Sequence, residues 1–253
     1  MKQLYLMQTK PDLRLLAVWA QRHDLLREQD EPGYALHALL RAAFGDYAPK
    51  PFRYLDARQG LLAYTNSSPE EVQAQVALAD PEVAAALGLM ATAEHGGVGL
   101  RALPQYWPLG HLLGFEVRAR PVVRQAANRR ELDAFLAAVE ASHGASVDRN
   151  EVYLQWFREQ LGIGHESQSQ PWHGAVDLVE VTINRFRLQE VMRRTQISEE
   201  EGKRRRRTVS GPDVVFAGTL RIRDSERFGR LLERGVGRHR SFGYGMMLVR
   251  PAN

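Results

Sequence analysis

The chain has 253 residues, 44% hydrophobic and 25% charged, the balance of a soluble globular protein of one or two domains. It has no cysteine, which excludes disulfides, thiolate metal sites and cysteine nucleophiles, and no apolar run long enough to span a membrane. The net charge of +4 is unevenly spread: from residue 184 onward there are 17 Lys and Arg against 8 Asp and Glu, a net of +9, and before it 17 against 22, a net of −5. Such asymmetry points to a polyanionic partner for the C-terminal part. The opening MKQLYLMQTKPD lacks the apolar core of a signal peptide, so a cytoplasmic location is expected.

In chain order, QLYLMQT reads as a strand and Leu13 to Leu26 as a helix. Pro32-Gly33 then starts a second helix that Gly45 stops, with Leu36, Leu39, Leu40, Ala43 and Phe44 on one face. FRYLD and GLLAYTN read as two strands. Ser68 and Pro69 open another helix, PEVAAALG follows as a short one, and a weak strand is expected near Val98 to Leu103.

After a glycine- and proline-bearing junction around Glu94 to Pro108 the pattern restarts. LLGFEVRARPVVR reads as a strand in which Pro121 marks an edge or a bend, RELDAFLAAVEA as a helix with Leu132, Phe135, Leu136 and Val139 inward, and NEVYLQWFREQLG as a further helix. VDLVEVTINRFRLQ and DVVFAGTLRIRD read as strands on either side of a polar, arginine-rich insertion from Glu190 to about Ser210. SERFGRLLERG is a helix capped by Gly235, and GYGMMLVRP is the last strand.

Both halves therefore follow the βαββαβ order. The predicted fold is α+β, two tandem ferredoxin-like (RRM-like) domains over residues 1–108 and 109–253, the second carrying the arginine-rich insertion. In each, helices cover one face of the sheet and the other face can stay open, as in many RNA-binding sheets.

The stretch RGVGRHRSFGYGMMLVRP sets Gly235, Gly237, Gly243 and Gly245 among Arg234, Arg238, His239 and Arg240. It is not a dinucleotide fingerprint: Arg240 stands where the third glycine is needed, and a helix precedes where a strand should. Gly202-Lys203 is followed by arginine, so no phosphate-binding P-loop exists either. Glycines beside forked guanidinium donors suit a nucleic-acid backbone. Two further basic elements, Arg204 to Arg207 and Arg118, Arg120, Arg124, Arg129 and Arg130, join it.

No two of the eight histidines have the spacing of an HExxH helix, and no metal or other cofactor is expected. Tyr34, His37 and Arg41, at i, i+3 and i+7, lie on one helix and face away from its Leu36/Leu39/Leu40 face. An imidazole can act as base or acid near neutrality when RNA is cut by its own 2′-hydroxyl.

The C-terminal run FAGTLRIRDSERFGRLLERGVGRHRSFGYGMMLVRP resembles the ending of the CasE-type CRISPR repeat endoribonucleases. FEVRARPVVR, VYLQWFREQLG and TINRFRLQEVMRR follow that family's order, and GYALHALLRAAFGD resembles its early helix with a Tyr-x-x-His pair. The resemblance implies two ferredoxin-like domains that bind the stem-loop of a CRISPR repeat. It also implies metal-free cleavage at the stem base, leaving 2′,3′-cyclic phosphate and 5′-hydroxyl ends, and retention with other subunits in an effector complex.

Carried onto this chain, the resemblance makes His37 the general acid or base and Tyr34 its partner at the scissile phosphate, and helical spacing adds Arg41 as a charge stabiliser. Gly235, Gly237, Arg238, His239, Arg240, Gly243 and Gly245 become the RNA-holding loop. Arg118, Arg120, Arg124, Arg204, Arg205, Arg206 and Arg207 become supports for the stem. The alternative reading is a non-catalytic RNA-hairpin-binding module.

Overall fold

The computed structural model describes residues 2–25, 32–92, 97–125, 131–164, 170–194 and 206–252. The first half runs β1 (Tyr5–Thr9), α1 (Leu13–Arg22), α2 (Gly33–Phe44), β2 (Phe52–Asp56), β3 (Gly60–Thr65), α3 (Pro69–Leu78), α4 (Pro81–Leu87) and β4 (Gly99–Ala102). Its strands form an antiparallel sheet in the order β2-β3-β1-β4. The second half runs β5 (Leu112–Ala119), β6 (Val122–Arg124), β7 (Glu131–Asp133), α5 (Ala134–Ala141), α6 (Arg149–Gln160), β8 (Val176–Arg194), β9 (Arg206–Ile222), α7 (Ser225–Arg234) and β10 (Met247–Pro251). Its main sheet has the order β10-β5-β9-β8, again antiparallel. In each half the first strand lies between the third and the fourth and the second is at an edge, the ferredoxin-like arrangement read from the sequence.

Local chemistry fixes the helix ends. Asp12 caps α1 by accepting from the N–H groups of Arg14 and Leu15, and Ser68 and Glu71 form a reciprocal capping box on α3. The helix expected over Leu13 to Leu26 stops at Arg22. Asp24 adopts a left-handed φ of 62°, and the Leu25 N–H turns back to the Ala20 carbonyl, burying Leu25.

Period-two alternation places Met7, Leu61 and Ala63 against the helices of the first half, and Leu4, Leu6, Leu62 and Tyr64 in the core of the second. The first sheet is thus apolar on both sides and its second face is covered, contrary to the open face expected. The larger core is aromatic, with Phe157 stacked on Phe216 at 4.6 Å and on Phe115 at 5.7 Å.

The Tyr64 hydroxyl donates across the two halves to the Met247 carbonyl at 2.7 Å, fully buried. Tyr64→Phe leaves that carbonyl without its partner and is expected to lower stability by about 1 kcal/mol. An unchanged urea midpoint would show that the bond contributes nothing.

Two expectations fail in the second half. Residues 131–133 are strand, with Leu132 opposite Val123, and α5 starts only after Asp133 caps Phe135. Its buried residue is Ala134; of the expected inward face, Leu132 and Phe135 are half-buried, Phe135 against the core, whereas Leu136 and Val139 are 48% and 42% exposed. The guanidinium of Arg149 lies 4.1 Å over the Phe135 ring. The expected insertion from Glu190 to Ser210 is in part strand: β8 and β9 stay paired from Glu190↔Ser210 to Arg194↔Arg206.

Candidate functional site

Helix α2 turns its Ala35/Leu36/Leu39/Leu40 face into the core and leaves Tyr34 and His37 half-buried on its flank. Opposite them, a short 3₁₀ turn, Arg240–Phe242, projects from the glycine-rich loop. The Phe242 ring stacks on Tyr34, with centroids 5.6 Å apart, and meets the His37 ring edge-on at 5.5 Å. The approach is close enough that a Cβ on Gly33 would lie 2.4 Å from the Phe242 carbonyl oxygen. The fold therefore brings the Tyr34/His37 helix and the C-terminal basic loop together, although they are far apart in sequence.

A groove of about 1090 Å³ opens between them, lined among others by His37, Lys50, Arg234, Arg238, Arg240 and Phe242. Burial pushes the His37 imidazole below its ordinary value, and the cations Arg41 and Lys50 push it further. His37 is therefore neutral at physiological pH, the form in which it accepts a proton. Arg41 is exposed and bonded to Asp46 at 3.0 Å, so its charge is partly spent locally.

Arg234 and Arg240 make a concentrated cationic point. The Arg240 guanidinium donates to the Arg234 carbonyl at 2.6 Å, and the Arg234 guanidinium lies 3.5 Å over the Trp172 ring. Neither has a carboxylate partner among the described residues. Burial, then the charge of Arg240, lowers Arg234 to about 10, and burial lowers Arg240 as well. An anion in the groove relieves both. Arg238 and His239 are partly neutralised, because Glu131 accepts from Arg238 Nε and bonds His239 Nε2, each at 2.8 Å.

The four loop glycines are buried. The Gly235 N–H bonds to Leu231, the Gly245 N–H to Arg118, and the Val236 N–H to Gly245, all to carbonyls at 2.7–2.8 Å. Gly237 has φ +73°, and a Cβ there would lie 2.8 Å from the Trp156 ring. These glycines shape a packed turn that presents arginines, with the N–H groups of Gly235 and Gly245 taken up inside it.

Arg118 and Arg120 also depart from expectation, being 9% and 2% exposed. Arg118 grips the buried Asp213 with two bonds, of 2.8 and 3.0 Å, and lies 4.6 Å from the Tyr244 ring centre; Arg120 lies under Tyr244 against Gly211. Their shared strand face points into the protein, where they support the loop from beneath. Arg124 is exposed on β6. Arg204 and Arg205, with Arg129 and Arg130, lie outside the described residues. Arg206 and Arg207 enter β9, their backbones opposite Arg194 and Arg193.

Lys50, Trp172, Arg234 and Glu131 were not singled out by sequence as site residues. The glycine-rich C-terminal stretch did contain Arg234, but nothing in it marked a stacking partner. Among the described residues, no three His, Asp or Glu side chains gather in a metal-holding arrangement, and no helix is long and apolar enough to cross a membrane.

A family model described as CRISPR associated protein matches residues 4–251. The chain belongs to this family. Among solved structures, this CRISPR-associated protein is similar to the CRISPR endoribonuclease Cse3 bound to a 19 nt RNA, with 21% identity, a TM-score of 0.61, and coverage of 98% of this chain and 100% of that one. It is similar to Thermus thermophilus Cse3 bound to an RNA representing a pre-cleavage complex, at 20% identity and TM-score 0.60, covering 98% and 100%. It also resembles Cas6e from Escherichia coli K-12, at 18% identity and TM-score 0.51, covering 99% and 100%. These likenesses establish the tandem ferredoxin-like fold. No curated protein matches the chain in sequence.

Proposed function

We propose that this protein is an endoribonuclease that binds the hairpin of a CRISPR repeat and cuts it at the stem base without a metal. The product is a guide RNA with 2′,3′-cyclic phosphate and 5′-hydroxyl ends, held afterwards within an effector complex. The observation that carries this reading is the groove itself: a neutral, half-buried His37 sits beside Lys50 and faces a loop with an acid-free pair, Arg234 and Arg240. The fold likeness to Cse3 bound to RNA supports it.

In the proposed reaction His37 takes the proton of a ribose 2′-hydroxyl. The 2′-oxygen attacks the adjacent phosphorus in line, the P–O5′ bond breaks, and the departing 5′-oxygen takes a proton from solvent water, whose hydroxide is neutralised by the proton that His37 gives up afterwards. Tyr34, stacked on Phe242, orients the phosphate. Arg234, Arg240 and Lys50 bear the charge that grows on its non-bridging oxygens. The base and the charge stabilisers are protein side chains, so the step runs without a bound cation.

The test is an end-labelled repeat hairpin incubated with the protein in EDTA. A single cut at the stem base is expected, and tight binding without a cut would leave the hairpin-binding module. Binding is expected to weaken steeply between 50 and 200 mM salt, with log K falling by about 0.7–0.9 per log salt for each phosphate neutralised. A flat salt response would contradict the cationic groove.

A further inference from the structure

Phe242 borders a second, smaller cavity of about 270 Å³, on the side of Gly33, Leu36 and Gly243. Four arginines line it: Arg53 from β2, Arg118 from β5, and Arg185 and Arg187 from β8. Two carboxylates answer them. Asp213 is taken up by Arg118 and Arg187, and Glu116 accepts from Nη2 of Arg53. Among the described residues, the second terminal nitrogen of Arg53, Nη1, is buried without a hydrogen-bond partner, the residue being only 8% exposed. Arg185 is exposed, and no described carboxylate pairs with it. Pro32 and Gly33, at the start of α2, line the same cavity, and no described side chain caps that end.

A buried guanidinium nitrogen with no acceptor is costly unless something outside the chain supplies one. Burial lowers the Arg53 pKa despite Glu116, and Arg118 and Arg185 add repulsion. The missing partner is therefore an acceptor-rich anion such as a phosphate group, for which the cavity has ample room and which the end of α2 favours too.

We infer that this cavity binds a single phosphodiester of the RNA, close in sequence to the scissile one, through Arg53 and Arg185. The inference rests on the proposed function for its occupant. Because Phe242 walls both cavities, one strand passing over its ring reaches His37 on one side and Arg53 on the other. The site would act as a register pin: it fixes which phosphate faces the imidazole without touching the reacting atoms.

The test is a scan of repeat hairpins, each with one methylphosphonate in place of one phosphate, bound to wild type, Arg53→Gln and Arg185→Gln. At one position near the cut, the neutral linkage is expected to weaken wild-type binding by about tenfold, the scale of one charge-assisted contact. The same linkage is expected to have almost no further effect in either variant. Arg185→Gln keeps the test valid if Arg53→Gln fails to fold, because Arg185 is exposed and unpaired. If wild type binds and cuts but every linkage costs all proteins equally, the pin is overturned and the proposed function stands. If wild type binds no hairpin, both fall. If inorganic phosphate alone protects Arg53 while no linkage couples to it, the site serves a free anion and the RNA assignment is wrong.

Discussion

Replacing His37 with alanine is expected to slow single-turnover cleavage by about 10²–10⁴-fold, the usual worth of a positioned general base, while RNA affinity stays nearly unchanged. The separation follows from the proposed site: there the charge that would hold RNA sits on Arg234 and Arg240, whereas burial and nearby cations push the imidazole toward its neutral form. The direction of its shift sets the pH dependence. A base whose pKa lies below 6.5 is active above that value and inactive once protonated, so the rate should rise with pH, reach half its plateau below 6.5, and then stay level. Lys50→Ala removes one of the cations that lower His37, so the midpoint should move up in that variant. A midpoint in wild type well above 7, or cleavage retained by His37→Ala, would remove the imidazole from its role.

Asp213→Ala is expected to be the most damaging substitution for stability, at about 3–5 kcal/mol by urea unfolding, discounted toward the lower figure because Arg187 is partly exposed. Asp213 is fully buried and answers two arginines; removing it strands the Arg118 guanidinium in the interior. The backbone of Arg118 also holds the Gly245 N–H, so the basic loop should loosen with it.

Burial by itself would raise the Asp213 carboxyl, but the bonds from Arg118 and Arg187 prevail and hold it below its usual value. A carboxylate with a depressed folded pKa stabilises above its unfolded value of about 3.9 and loses that contribution as pH falls through the folded one. Wild type should therefore lose stability toward acid more steeply than Asp213→Ala. A loss below about 1 kcal/mol on substitution would mean that the triad is balanced by its desolvation.

Much of the fold was legible because it depends on local signals. The α2 face, the Ser68 and Gly235 caps and the two βαββαβ orders are patterns within a few residues. What was missed depends on partners distant in sequence. Arg118 and Arg120 share a strand face, but spacing cannot say which face is inside; the answer is Asp213, 95 residues away. Lys50 is one lysine between two prolines, with no pattern around it, and only the packing of the β2 approach beside α2 brings it to His37. Leu136 and Val139 have helical spacing, yet the helix begins four residues later than expected, after a short strand. Polarity marked the stretch beyond Glu190 as an insertion between strands; backbone pairing carries β8 and β9 into it.

In the proposed reaction the RNA supplies its own nucleophile to His37. A repeat hairpin with a single 2′-deoxyribose immediately 5′ of the scissile phosphate, assayed in EDTA beside the all-ribose hairpin, tests this. Equal binding and no cleavage of the deoxy substrate are expected, with a 2′,3′-cyclic phosphate on the product of the ribose one. Cleavage of the deoxy substrate at the same bond would contradict it.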